Sequence, residues 1–163
     1  PVLTTFTAGK EEYHVEIDMQ IFKDVLHELF VNAIKFSPEK SRVILLAEVT
    51  EKEQDNPQLV VTVRNTPRRF QAEDQDGNKI VGIPYDYSEL VFDLFYTIDA
   101  FPTNLEEEKW RDGTGLYVCR KLLGRQDSWI SARNGLVYLK GEKQVVVNTT
   151  VTLPLRTLKE DPA

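Results

Sequence analysis

A chain of 163 residues suits a single domain whose core needs neither disulfides nor a structural metal. With 41% hydrophobic and 28% charged residues it has the composition of a soluble globular protein, and a net charge of -6 argues against nucleic acid or an anionic membrane surface as partner. A single cysteine, Cys119, excludes an internal disulfide framework and a Cys-rich zinc site.

The first clear element is a strand. Tyr13, Val15 and Ile17 alternate with His14, Glu16 and Asp18, the period of a half-buried strand. Asp18 can then cap a helix predicted over residues 21–36. Phe22, Val25, Leu26, Leu29, Phe30 and Ala33 give that helix one apolar stripe, and Ser37-Pro38 stops it. Residues 41–50 and 58–65 read as two strands joined by the polar loop 51–57. Residues 66–85 are rich in turn residues, with Gln75-Asp76-Gly77-Asn78 as the clearest turn. The acidic run Glu73–Gly77 lacks the ligand spacing of a calcium loop and reads as a solvated hairpin. Ser88 can cap a short helix through Val91 and Phe92. Residues 97–113 have no period and read as a long loop, of a length that in compact domains is usually a functional lid or disordered. Helical spacing returns over 115–123, with Gly124 as the expected stop. Three strands follow, over 128–132, 136–139 and 144–153, with turns expected at Asn134-Gly135 and Gly141. Residues 1–157 are expected to form one domain and 158–163 a frayed tail. This order predicts an α+β fold, a two-layer α/β sandwich with a mixed sheet of about five strands and helices on one face.

The first helix carries the most chemistry. Glu28, Asn32 and Lys35 fall at i, i+4 and i+7, so they form one polar row away from the apolar stripe. An amide oxygen suits Mg²⁺, which takes few protein ligands and keeps several waters. An ammonium can meet phosphate, and a carboxylate can orient or deprotonate an attacking group. Three such residues are also what an ordinary solvated helix face looks like. Further on, Asp112-Gly113-Thr114-Gly115-Leu116 puts glycines at a loop-to-helix junction, where backbone N–H groups can approach phosphate.

The string His27-Glu28-Leu29-Phe30-Val31-Asn32-Ala33-Ile34-Lys35-Phe36-Ser37-Pro38 closely resembles the N box of sensor histidine kinases, members of the GHKL superfamily with the Bergerat fold. Two more motifs stand in that family's order. Val91-Phe92-Asp93-Leu94-Phe95-Tyr96 resembles the F box, whose aromatics anchor the base of a lid, and Asp112–Leu116 resembles the G2 box. The closing strand, with Thr152-Leu153-Pro154-Leu155, is similar to the last strand of the family domain. The likeness runs from about Val15 to Leu155.

What the resemblance implies is an ATP-binding catalytic domain that passes the γ-phosphoryl of ATP to a histidine on a separate dimerisation domain, with a response regulator downstream. Cofactors would be ATP and Mg²⁺. By resemblance Asn32 binds Mg²⁺, Glu28 is the catalytic carboxylate and Lys35 meets phosphate. Phe95, Gly113, Thr114, Gly115 and Leu116 would line the nucleotide site. The chain would be cytoplasmic, or cut from a membrane-bound receptor, with no direct membrane contact of its own.

Departures from the family pattern are equally plain. The G1 box is normally Asp-x-Gly-x-Gly after a strand, its aspartate accepting a hydrogen bond from the adenine amino group. Here Asn65-Thr66-Pro67-Arg68-Arg69 follows the strand. Asn65 keeps an acceptor oxygen but no charge. Pro67 and Arg69 replace glycines, and Tyr117 stands where the G2 box usually has another glycine. The only histidines, His14 and His27, do not resemble the phosphoacceptor motif; His14 is expected on a strand surface and His27 near the pocket rim. The degenerate G1 box leaves an alternative: a pseudo-kinase module that docks a partner kinase or regulator without productive ATP binding. A GHKL anti-sigma-type switch is a third, weaker alternative.

Overall fold

In the computed structural model, residues 2–8, 11–52, 56–73, 79–83, 88–93, 113–139 and 141–157 are described. Strands β1 (Val2–Ala8) and β2 (Glu11–Ile17) form an antiparallel pair, and β2 also pairs with the short closing strand β9 (Arg156–Thr157). Helix α1 (Met19–Lys35) follows β2 after a single residue. That residue is Asp18, whose carboxylate accepts the N–H groups of Gln20 and Ile21 at 2.8 and 3.1 Å, so two of the orphan donors of the first turn are satisfied.

The main sheet has four strands: β3 (Val43–Lys52), β4 (Asn56–Asn65), β7 (Trp129–Leu139) and β8 (Glu142–Pro154), in the order β3-β4-β8-β7. A separate hairpin, β5 (Arg69–Glu73) with β6 (Lys79–Val81), fills the middle of the chain. Helix α2 (Gly115–Gly124) precedes β7.

Registers across the main sheet show which face is buried. Val61 of β4 lies opposite Val151 of β8, which lies opposite Ile130 of β7. All three are buried, as are Val63, Ala132 and Leu153. Val63, Ile130, Ala132, Val151 and Leu153 join Val25, Leu29 and Ala33 of α1 and Cys119 and Leu123 of α2 in one core. Val25, Leu29 and Ala33 recur every four residues, so one stripe of α1 meets the sheet. The neighbouring row, Thr62, Thr150 and Ser131, points to the other face and is polar, with the two threonine hydroxyls 3.0 Å apart. The α+β class and the layering of helices on sheet are thus as expected.

The pairing differs in detail from the mixed sheet expected. Every ladder among the described residues is antiparallel. Parallel pairing needs a crossover connection. The β2–α1–β3 segment provides one, but its two strands belong to different sheets.

Three local expectations are corrected. Asn134-Gly135 is no turn: β7 runs unbroken through it, because the Asn134 amide is used across the molecule. Its Oδ1 accepts the N–H of Ile83 at 2.9 Å and its Nδ2 donates to the carbonyl of Ile83 at 2.6 Å. Gly135 lies where a Cβ would strike Asn148 and Val146, so the glycine serves close approach. Ser88 is not the cap; Glu89 is the residue before the 3₁₀ turn Leu90–Phe92. Gly124 does end α2 as its last residue, and the left-handed residue that then turns the chain is Asp127 (φ 51°), after which the N–H of Ser128 reaches back to the carbonyl of Leu123. The strands β3 and β4 also extend into the expected loop 51–57, as far as Lys52 and from Asn56. Gly141 (φ 83°) does mark the β7–β8 turn.

Candidate functional site

Three elements position the predicted residues. The polar row Glu28, Asn32, Lys35 lies on α1, the glycine junction opens α2, and Asn65 ends β4. Glu28 and Asn32 are half-buried, whereas Lys35 is exposed with its Nζ 5.8 Å from the centre of the Phe36 ring.

The row and the junction meet. A Cβ on Gly115 would strike the Oε2 atom of Glu28, so the carboxylate rests against the first residue of α2. The state of Cys119, one turn further along α2, agrees. Burial pushes its thiol up to about 12, and the nearby charge of Glu28 adds to the shift. Gly113, two residues before α2, has φ 79°, a left-handed backbone that glycine adopts without strain. Thr114 is the N-cap but makes no side-chain capping hydrogen bond. The start of α2 therefore lies beside Glu28. Leu116 packs on the core and holds this end in place.

Gly115→Ala tests the contact. Alanine favours a helix over glycine by about 1 kcal/mol, and among the described residues the nearest atoms it would meet belong to the end of a flexible side chain, that of Glu28. Chemical denaturation should show a stability change below about 1 kcal/mol. A larger loss would mean that Glu28 is held rigidly and cannot yield.

At the other end of α1, Asn65 is buried beneath Ser37. Its Nδ2 donates to Ser37 Oγ at 3.1 Å, and Ser37 Oγ donates to the carbonyl of Ala33. The segment that replaces the glycines of the G1 pattern is tied to the same place. The backbone N–H of Arg68 donates to the carbonyl of Phe36 at 2.8 Å, and its Nε donates to the carbonyl of Ser37 at 2.6 Å. Pro67 is buried, and Arg69 is already extended in β5. A strap pinned to the end of α1 thus stands where a flexible glycine turn was the pattern. Ser37 and Arg68 were not singled out by sequence reasoning. Ser37 was legible only as a helix stop, and the one available signal was its place in the N-box string.

Phe95, Asp112 and residues 97–112 of the lid expected over 97–113 lie outside the described residues. Of the F-box string, Phe92 is buried in the core, with the Arg120 guanidinium 5.7 Å from its ring centre. His27 is exposed.

Among the described residues no three His, Cys, Asp or Glu side chains cluster as a metal cage. A single amide oxygen, Asn32, beside a carboxylate suits Mg²⁺ held largely by water and phosphate. Another concavity, about 1020 Å³, runs along the outer edge of β7 between Arg120, Arg125, Trp129 and Arg133. None of Glu28, Asn32, Lys35 or Asn65 lines it, so chemistry and not volume locates the candidate site.

Comparison with known proteins bears on this arrangement. Residues 17–157 match the family described as histidine kinase-, DNA gyrase B-, and HSP90-like ATPase. The sensor histidine kinase WalK of Bacillus subtilis (strain 168) is 27% identical over 150 residues, covering 92% of this chain. The chain spans only 20% of that relative's length. The solved structure of the mycobacterial sensor histidine kinase MprB superposes with a TM-score of 0.56 at 17% identity, over 91% of this chain and 79% of that one, which is a likeness of fold.

Proposed function

Since the chain belongs to the histidine kinase-, DNA gyrase B-, and HSP90-like ATPase family, we propose that it is the ATP-binding catalytic domain of a sensor histidine kinase. Its product would be a phosphohistidine on a separate dimerisation domain, from which a response regulator takes the group. The observation that carries this reading is the contact of Glu28 with Gly115, which joins the N-box helix to the G2 junction.

The roles follow from position. Asn32 offers its amide oxygen to Mg²⁺, and Lys35 offers an exposed ammonium to phosphate. Mg²⁺, when bound with ATP, offsets charge on the phosphate oxygens. The backbone of Gly113, Thr114, Gly115 and Leu116 presents N–H groups at the start of α2. Asn65 accepts from the adenine amino group. Glu28 orients the incoming histidine or takes the proton from its ring nitrogen as the N–P bond forms and the bond from γ-phosphorus to the bridging oxygen breaks. Among the described residues no helix is long and apolar enough to cross a membrane. A cytoplasmic setting, where ATP is available, is part of the proposal.

The pinned strap at Asn65–Arg68 favours a second reading, a docking module that no longer grips adenine. Magnesium separates the two. In calorimetric titrations with ADP, wild-type affinity should rise roughly tenfold on adding Mg²⁺, and Asn32→Ala should lose most of that rise. Equal Mg²⁺ dependence in both proteins would reduce Asn32 to a helix residue.

A further inference from the structure

An asparagine in place of the usual aspartate raises a problem of direction. A carboxylate accepts at either oxygen, but an amide accepts at one end and donates at the other. Which end faces the base decides which base fits. Adenine presents an amino donor at the position where guanine presents a carbonyl acceptor. In structures without visible hydrogens the direction of an amide is decided by the network around it.

Here the network decides it. Ser37 has one hydroxyl proton. Its Oγ lies within hydrogen-bond reach of the Ala33 carbonyl, which can only accept, so the proton is committed there. Ser37 Oγ can then offer Asn65 only a lone pair. The atom of Asn65 at 3.1 Å must be the donor, Nδ2. Turning the amide over would set two acceptors face to face in a buried site, where both residues are 4% exposed. Nor is the serine able to swing away easily. Its N–H donates to the Ile34 carbonyl at 3.2 Å and its own carbonyl accepts from Arg68 Nε at 2.6 Å. Asn65 Oδ1 is therefore the end turned away from Ser37, and it is an acceptor only.

We infer that Ser37 is a positioning residue for base selection: by holding the Asn65 amide with its oxygen toward the base, it makes an uncharged side chain select an amino-bearing purine over a carbonyl-bearing one. This rests on the nucleotide-binding reading above. Arg68 supports it by fixing the backbone of Ser37. The selectivity of the aspartate pattern is kept while its charge is given up.

The test is the ratio of ADP to GDP affinity, measured by calorimetry on the full chain with Mg²⁺ present. Wild type should prefer ADP by roughly tenfold to a hundredfold, the effect of an acceptor facing an acceptor. Ser37→Ala frees the amide to turn, so the preference should fall to within about threefold, with GDP affinity rising. Ser37→Thr retains the hydroxyl and should retain the preference. Ser37→Cys keeps the volume with a weak donor and acceptor, and should lose the preference even if the alanine variant folds poorly. In an Asn65→Asp background both ends accept, so Ser37→Ala should leave the ratio unchanged. A purely structural role would lower both affinities together, and an unchanged ADP/GDP ratio in Ser37→Ala and Ser37→Cys would overturn the inference. Wild type that binds neither nucleotide would overturn the nucleotide reading itself.

Discussion

Glu28→Gln should slow phosphoryl transfer to a histidine by about 10²–10⁴-fold while leaving ADP affinity within about twofold. Glutamine keeps the length and shape of the side chain and removes only its basicity. The proposed work of Glu28 is proton transfer and orientation during the reaction, so the loss belongs in the chemical step. Its contact with Gly115 puts that carboxylate at the start of α2, beside the backbone proposed to meet phosphate. The assay is transfer from radiolabelled ATP to a separately supplied dimerisation domain, with ADP calorimetry in parallel. Loss of both transfer and binding would make Glu28 a structural support of the pocket. Unchanged transfer would remove it from the chemistry.

Leu123→Ala should destabilise the domain by about 2–5 kcal/mol, a large fraction of the roughly 5–15 kcal/mol that holds such a domain folded. Leu123 is 0% exposed and belongs to the core shared by α1, α2 and the sheet. Truncation removes its transfer free energy and leaves a cavity that close-packed neighbours cannot fill. Val118 lies on the same helix but is 47% exposed, so Val118→Ala should change stability by no more than about 0.5 kcal/mol. Urea unfolding with an unchanged slope and a lowered midpoint is the readout for Leu123→Ala. Equal effects at the two positions would mean that α2 is not seated on the core as described.

Elements whose signals were local were readable in advance. α1 has a capping aspartate, an uninterrupted apolar stripe and a serine-proline stop, and the structure begins and ends it within two residues of the expected bounds. Its polar row follows from helical period alone. Elements decided at a distance were not readable. Asn134-Gly135 has the composition of a hairpin turn, yet the pair lies within a strand because Asn134 binds the backbone of Ile83, 51 residues away. The 66–85 stretch read as polar turns and a solvated hairpin, and its strands β5 and β6 do pair, although the run 74–78 lies outside the described residues. At the candidate site the motif residues were legible by likeness to a family. The strap was not: nothing local says that Arg68 would bind the end of α1, or that Ser37 would set the direction of Asn65. Those contacts join positions about 30 residues apart and exist only once β4 and α1 are packed together.

This fold is proposed to hold an adenine nucleotide still, despite its altered G1 segment. The most direct measurement is a calorimetric titration of the wild-type chain with ADP in the presence of Mg²⁺. Saturable heat is expected, weaker when Mg²⁺ is withdrawn and weaker with GDP in place of ADP. No detectable heat at millimolar ADP would contradict it and leave a docking module in place of a kinase domain.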